Sequence, residues 1–183
     1  MIAILLADGF EEIEALTPLD ILRRANLDVK SVSINANREV TGAHGIRLFA
    51  DLTKNDVNLA CVDFVIFPGG MPGAKNLDES EFTDEILKAV LENGGRIGAI
   101  CAAPMILGKR GLLRGKRACS YPGFEGELHG AFVSYEPTVV DGNIITARGM
   151  GAALDFSFAV ISEILGKDAA QKLSASVIYE VTK

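Results

Sequence analysis

The chain has 183 residues, 49% of them hydrophobic, and a net charge of −6. That is enough apolar material for one domain with a full core, and the acidic balance disfavours any phosphate-backbone partner. Its longest apolar runs fall far short of the roughly 18 residues that suggest a membrane span, so neither nucleic acid nor membrane is expected as a partner.

Taken in chain order, short apolar and β-branched runs recur at 1–7, 29–34, 62–67, 96–100 and 143–147. Runs of this kind read as parallel strands buried on both faces. Helical stretches lie between them at 11–25, 80–93, 102–109 and 152–165. In the second, Phe82, Ile86, Leu87 and Val90 form one apolar stripe, Ser80 stands where a cap belongs, and Gly94-Gly95 ends the helix. The segment 38–51, with bends at Gly42 and Gly45, reads as a hairpin, and 121–140, rich in Gly and Pro, as an irregular excursion. The alternation of strand and helix predicts a single α/β domain over 1–183, a doubly wound, mostly parallel sheet between helices.

Open sheets of this class place ligands beyond the carboxyl ends of their strands. Four loops qualify: 8–12, 68–73, 101–104 and 148–151. A dinucleotide site needs glycines spaced G-x-G-x-x-G in the first of them, where this chain carries Asp8, Glu11, Glu12 and Glu14, which would repel a pyrophosphate. With three widely spaced cysteines, two histidines and no Cys-x-x-Cys, the usual zinc clusters cannot be assembled. No cofactor and no metal is expected. The N-terminus lacks a basic stretch and meets acid after seven residues, unlike a signal peptide, so reduced thiols and a cytoplasmic protein are expected.

Cys101 is the residue that the pattern singles out. It follows a strand that ends in small residues and precedes Ala102-Ala103-Pro104, where proline suits the first turn of a helix. A strand, a cysteine and then a helix require a tight turn, with the sulfur pushed outward in strained backbone. A helix N-terminus favours thiolate over thiol, so a reactive sulfur is expected. The amide of Ala102 lies beside it and Gly70 permits close approach of the neighbouring loop, two donors suited to an oxyanion hole. An acid or base must come from elsewhere. The first helix offers Glu11, Glu12, Glu14 and Asp20 among so many apolar residues that some carboxylate must be buried, but periodicity favours Glu12 and Glu14 alike.

The motifs A-D-G-F-E-E-I-E with P-x-D-I-L-R-R-A, F-P-G-G-M-P-G-A-x-N-L, I-G-A-I-C-A-A-P and T-A-R-G-M-G, in order across almost the whole chain, resemble the ThiJ/PfpI superfamily. The nearest branch is that of the parkinsonism-associated protein deglycase and its bacterial relatives. The resemblance implies a flavodoxin-like domain of class I glutamine amidotransferase type and a homodimer. Cys101 matches the family nucleophile, Glu14 its partner carboxyl, and Gly70 and Ala102 the positions whose amides face the sulfur. Gly69, Tyr121, Arg148 and Gly149 fall where the pocket wall is expected, and Arg23 and Arg24 match an arginine pair near the dimer interface, although by spacing they read as a solvated helix edge.

The implied activity is cysteine-dependent, glutathione-independent removal of reactive α-oxoaldehydes, or of their adducts with protein side chains. The alternatives are a redox sensor or chaperone that works through oxidation of Cys101, and a cysteine peptidase, against which Ala102 and Tyr121 count. Two departures stand out. Tyr121-Pro122 occupies the place of a family histidine before proline, and a phenol is a poor base at neutral pH. Arg148-Gly149-Met150-Gly151 replaces the more common Gly-Pro-Gly. His44 and His129 read as surface or core histidines, and Cys61 and Cys119 as packing residues, with Cys119 a secondary candidate for oxidation.

Overall fold

The computed structural model describes residues 1–180. In chain order, β1 (Ile2–Leu6) leads to α1 (Glu12–Arg24) and β2 (Val29–Ser33). A hairpin of β3 (Glu39–Thr41) and β4 (Arg47–Phe49) precedes the edge strand β5 (Leu52–Thr53). β6 (Phe64–Phe67), α2 (Gly73–Asp78), α3 (Glu81–Glu92), β7 (Arg96–Ile100) and α4 (Pro104–Lys109) follow. The short strands β8 (Arg117–Ala118) and β9 (Phe132–Val133) flank a loop, and β10 (Thr138–Asp141), β11 (Ile144–Ala147), α5 (Ala153–Leu165) and α6 (Lys167–Ser176) complete the fold. The main sheet has the order β10-β11-β7-β6-β1-β2-β5 and is parallel throughout except for β10. No described helix is long and apolar enough to cross a membrane.

Alternation along the strands divides the core in two. In β1, Ile2, Ile4 and Leu6 face Ile21 and Leu22 of α1 and Phe156, Phe158 and Ile161 of α5. Ala3 and Leu5 face Leu77 of α2, Phe82 and Ile86 of α3, and Ile106 of α4. Successive strand side chains point to opposite faces, so a sheet apolar on both sides needs a helical layer on each. Pro18 within α1 lacks the N–H that would reach the Glu14 carbonyl, yet the helix runs on to Arg24, because burial of Ala15, Ile21 and Leu22 outweighs the lost bond.

Several expectations change in detail. The segment expected at 121–140 as an irregular excursion ends in β10, an antiparallel edge strand paired with β11. α2, α6 and β5 were not apparent from periodicity. Ser80 stands at the N-cap of α3, but its hydroxyl makes no capping bond. Cys61, expected to pack, is exposed at the end of a short turn at 59–61, whereas Cys119 is buried against Thr146.

Candidate active site

The four loops expected to hold the site meet at the carboxyl ends of β1, β6, β7 and β11, around an open cavity of about 910 Å³. Cys101 sits in the turn between β7 and α4 with φ of +65°, a conformation that costs a non-glycine residue about 1–3 kcal/mol. Tertiary bonds hold it there: its N–H donates to the Ala147 carbonyl at 2.9 Å, and its own carbonyl accepts the Tyr121 N–H at 2.8 Å. The backbone amides of Gly70 and Ala102 both reach the sulfur.

Glu14, 1% exposed, projects from the first turn of α1 to the same point, hydrogen-bonded to the Cys101 thiol and, through Oε2, accepting the Gly69 N–H at 3.0 Å. Gly69 must lack a side chain here. A Cβ on it would lie 2.6 Å from Cys101 Cβ and 2.7 Å from Glu14 Oε2. Gly70, at φ of +84°, turns the loop so that the Glu11 N–H can donate to the Gly69 carbonyl at 2.9 Å, which ties the start of α1 to the loop after β6.

Burial pushes the Glu14 carboxyl up to about 7, partly opposed by bonds from Cys101 and from the Gly69 and Met150 amides. Burial and then the neighbouring Glu14 charge push the Cys101 thiol up to about 12, against the amides of Gly70 and Ala102. Both effects oppose the thiolate expected from position alone. α4 begins three residues beyond the sulfur and is only six residues long, so its dipole is weak beside desolvation and a carboxylate. Glu14, hydrogen-bonded to the thiol, is placed to take its proton as the sulfur becomes nucleophilic.

Tyr121, Arg148 and Gly149 line the cavity, as Gly70 and Ala102 do. Arg148 is steered by a bond to the Tyr135 carbonyl at 3.4 Å and by contact with the Tyr135 ring. His44, expected to be an ordinary surface or core histidine, lies on the cavity wall, held by a carboxylate that is itself buried. Glu12, 3% exposed, accepts the His44 N–H at 2.8 Å through Oε1 and lies 2.8 Å from His44 Nδ1 through Oε2. Burial alone would raise the Glu12 carboxyl, but the His44 ring and three backbone amides hold it below the usual range. That bond to Glu12, with the Glu11 charge 3.6 Å away, raises the His44 imidazole. Donor atoms of Glu11, Glu12 and His44 lie within 4.8 Å of one another, but the Glu12 oxygens already have partners, so the trio is an ion-paired latch rather than an open metal site. A contact between residues 12 and 44 leaves no trace in local periodicity; the one sequence signal was the excess of acid on an apolar helix. His129 is exposed and Arg23 and Arg24 pair with Asp51 and Asp20 on the surface, none of them lining the cavity.

A cysteine in a strained strand-to-helix turn, faced by a buried glutamic acid and two backbone amides at the carboxyl edge of a mostly parallel sheet, defines a class of α/β proteins with a cysteine-centred site. The pattern of the DJ-1/PfpI family matches residues 1–163, and the chain belongs to that family. It is 33% identical to protein dj-1beta of Drosophila melanogaster over 96% of this chain and 95% of that one. It is 32% identical to a glutathione-independent glyoxalase of Caenorhabditis elegans over 89% of this chain and 87% of that one. A DJ-1 superfamily protein from Salmonella typhimurium superimposes with a TM-score of 0.93 at 32% identity, over 98% of each chain.

Proposed function

We propose that this chain converts small α-oxoaldehydes, free or as adducts with protein amines and thiols, to α-hydroxy acids without glutathione and without a cofactor. The observation that carries the reading is the buried Cys101–Glu14 pair facing the amides of Gly70 and Ala102. Similarity to a glutathione-independent glyoxalase supports it. Sulfur adds to the aldehyde carbon while Glu14 takes the thiol proton, and the two amides hold the hemithioacetal oxygen. Glu14 returns that proton to the hemithioacetal oxygen, and the carboxylate so freed carries the proton of the same carbon to the neighbouring carbonyl carbon through an enediol while the hydroxyl proton passes to the neighbouring oxygen, which leaves a thioester of the α-hydroxy acid. Water cleaves the thioester, with the tetrahedral oxygen again held by the amides, and the thiol is restored. Oxidation at one carbon balances reduction at its neighbour, so no external redox partner is needed.

A homodimer belongs to the same reading. Ile13 and Leu16 on α1 and Phe49 on the hairpin leave apolar side chains open at 48%, 38% and 75% exposure, and sedimentation is expected to give twice 19.5 kDa. The deciding experiment is lactate formation from methylglyoxal by wild type and Cys101→Ser without glutathione. Turnover should fall at least about 1,000-fold in the variant. Equal activity of the two proteins, or no lactate from either, would overturn the reading; the second result would direct attention to peroxide oxidation of Cys101.

A further inference from the structure

The cavity around Cys101 is much larger and more aromatic than methylglyoxal requires. Its volume of about 910 Å³ falls in the range of ~300–1,000 Å³ found for sites that bury drug-sized ligands, whereas methylglyoxal has one methyl group to bury. The Tyr121 side chain lines the same cavity as the reacting pair. Its backbone is bonded to the Cys101 carbonyl, and a Cβ placed on Gly149 would lie 3.3 Å from Tyr121 Cδ2 and 3.9 Å from Glu14 Oε1. The ring edge is thus no farther from the Glu14 carboxyl than those two distances together. Gly149 is extended at φ of 162°, so a side chain there would crowd the Tyr121 ring rather than strain the backbone. Half of Tyr121 remains exposed, at 51%, and Met71 and Met150 on the same cavity are 50% and 59% exposed. Phe124 adds a second aromatic side chain. A flat ring and two flexible thioethers lining one cavity suit a flat, apolar guest.

We propose that the site prefers α-oxoaldehydes whose keto carbon bears an aryl or similarly bulky apolar group, with Tyr121 as the specificity-determining wall. The inference rests on the catalytic reading above and uses the same chemistry, with the aldehyde carbon bonded to sulfur and water releasing the acid, so that phenylglyoxal gives mandelate.

The test is kcat/KM for phenylglyoxal and methylglyoxal, without glutathione, in wild type, Tyr121→Ala and Tyr121→Phe. Wild type is expected to favour phenylglyoxal by about tenfold or more, the scale on which apolar pockets discriminate. Tyr121→Ala should cut that ratio at least about fivefold, chiefly through KM for phenylglyoxal, and Tyr121→Phe should restore it. Intrinsic reactivities of the aldehydes cancel in this comparison of ratios. A second measurement needs only wild type: mandelate should inhibit at least about tenfold more tightly than lactate. Turnover of both aldehydes with a ratio near one, or a ratio unmoved in Tyr121→Ala, would overturn the specificity inference alone. Failure of wild type to turn over either aldehyde would overturn the catalytic reading and this one with it.

Discussion

Glu12 and Glu14 stand two residues apart in the first turn of α1, both buried, and the protein treats their charges in opposite ways. Glu12 meets the His44 ring and the amides of the hairpin turn, and it is held ionised. Glu14 meets a thiol and fewer donors in a drier place, and its carboxyl is lifted to about 7. Burial alone does not set the charge of a carboxyl; the balance of desolvation against hydrogen-bond donors does. Glu12 fastens the β3–β4 hairpin to the mouth of the cavity. Glu14 is left poised to exchange a proton.

Breaking the catalytic half of this comparison has the largest expected effect. Glu14→Gln should lower kcat for methylglyoxal by about 10²–10⁴-fold, the usual contribution of a general acid or base. Gly69→Ala, which leaves both reacting groups chemically intact but drives a Cβ between them, should cost about 100-fold through misplacement, measured under the same conditions. In wild type, kcat/KM should fall about tenfold per pH unit below about 7 and level off above it, as expected of a base with the raised Glu14 carboxyl. A profile flat through that region would assign the base elsewhere.

Stability separates the two acids by sign. The Glu14 carboxyl rises from 4.5 to about 7 on folding, so its contribution is complete below pH 4.5 and is lost as pH rises through about 7. Glu14→Gln should therefore be more stable than wild type at pH 8, by up to about 3 kcal/mol in urea unfolding, despite its lowered kcat. Glu12 is the reverse: its folded value lies below 4.5, so its contribution is present above pH 4.5 and is lost on acidification through that lower value. Glu12→Gln should destabilise by about 1–2 kcal/mol at pH 7, with the gap closing in acid. If both variants moved stability in the same direction at pH 7–8, about where each effect is full, the contrast would fail.

The core of the fold was legible because its strands are continuous apolar runs bounded by glycine, and α3 because its stripe repeats at helical spacing. α6 was not, since Lys167–Ser176 is mostly polar and owes its place to packing on α5. β5 is two residues long and β10 lies at a sheet edge, so both depend on a neighbour for their hydrogen bonds. In the site, Cys101 announced itself by local context alone. The choice of Glu14 over Glu12 did not, because both are buried on one helix and only family resemblance separated them. His44 escaped because its partner lies 32 residues away.

By itself, the order of residues determined a doubly wound sheet and a cysteine on a strand-to-helix turn, since hydrophobic period, glycine and proline act over a few positions. The desolvation of that cysteine, the contrast between two buried acids, and the bond from the hairpin turn at His44 to Glu12 were decided only by tertiary structure. Desolvation and charge act through space, and only the folded chain sets those distances.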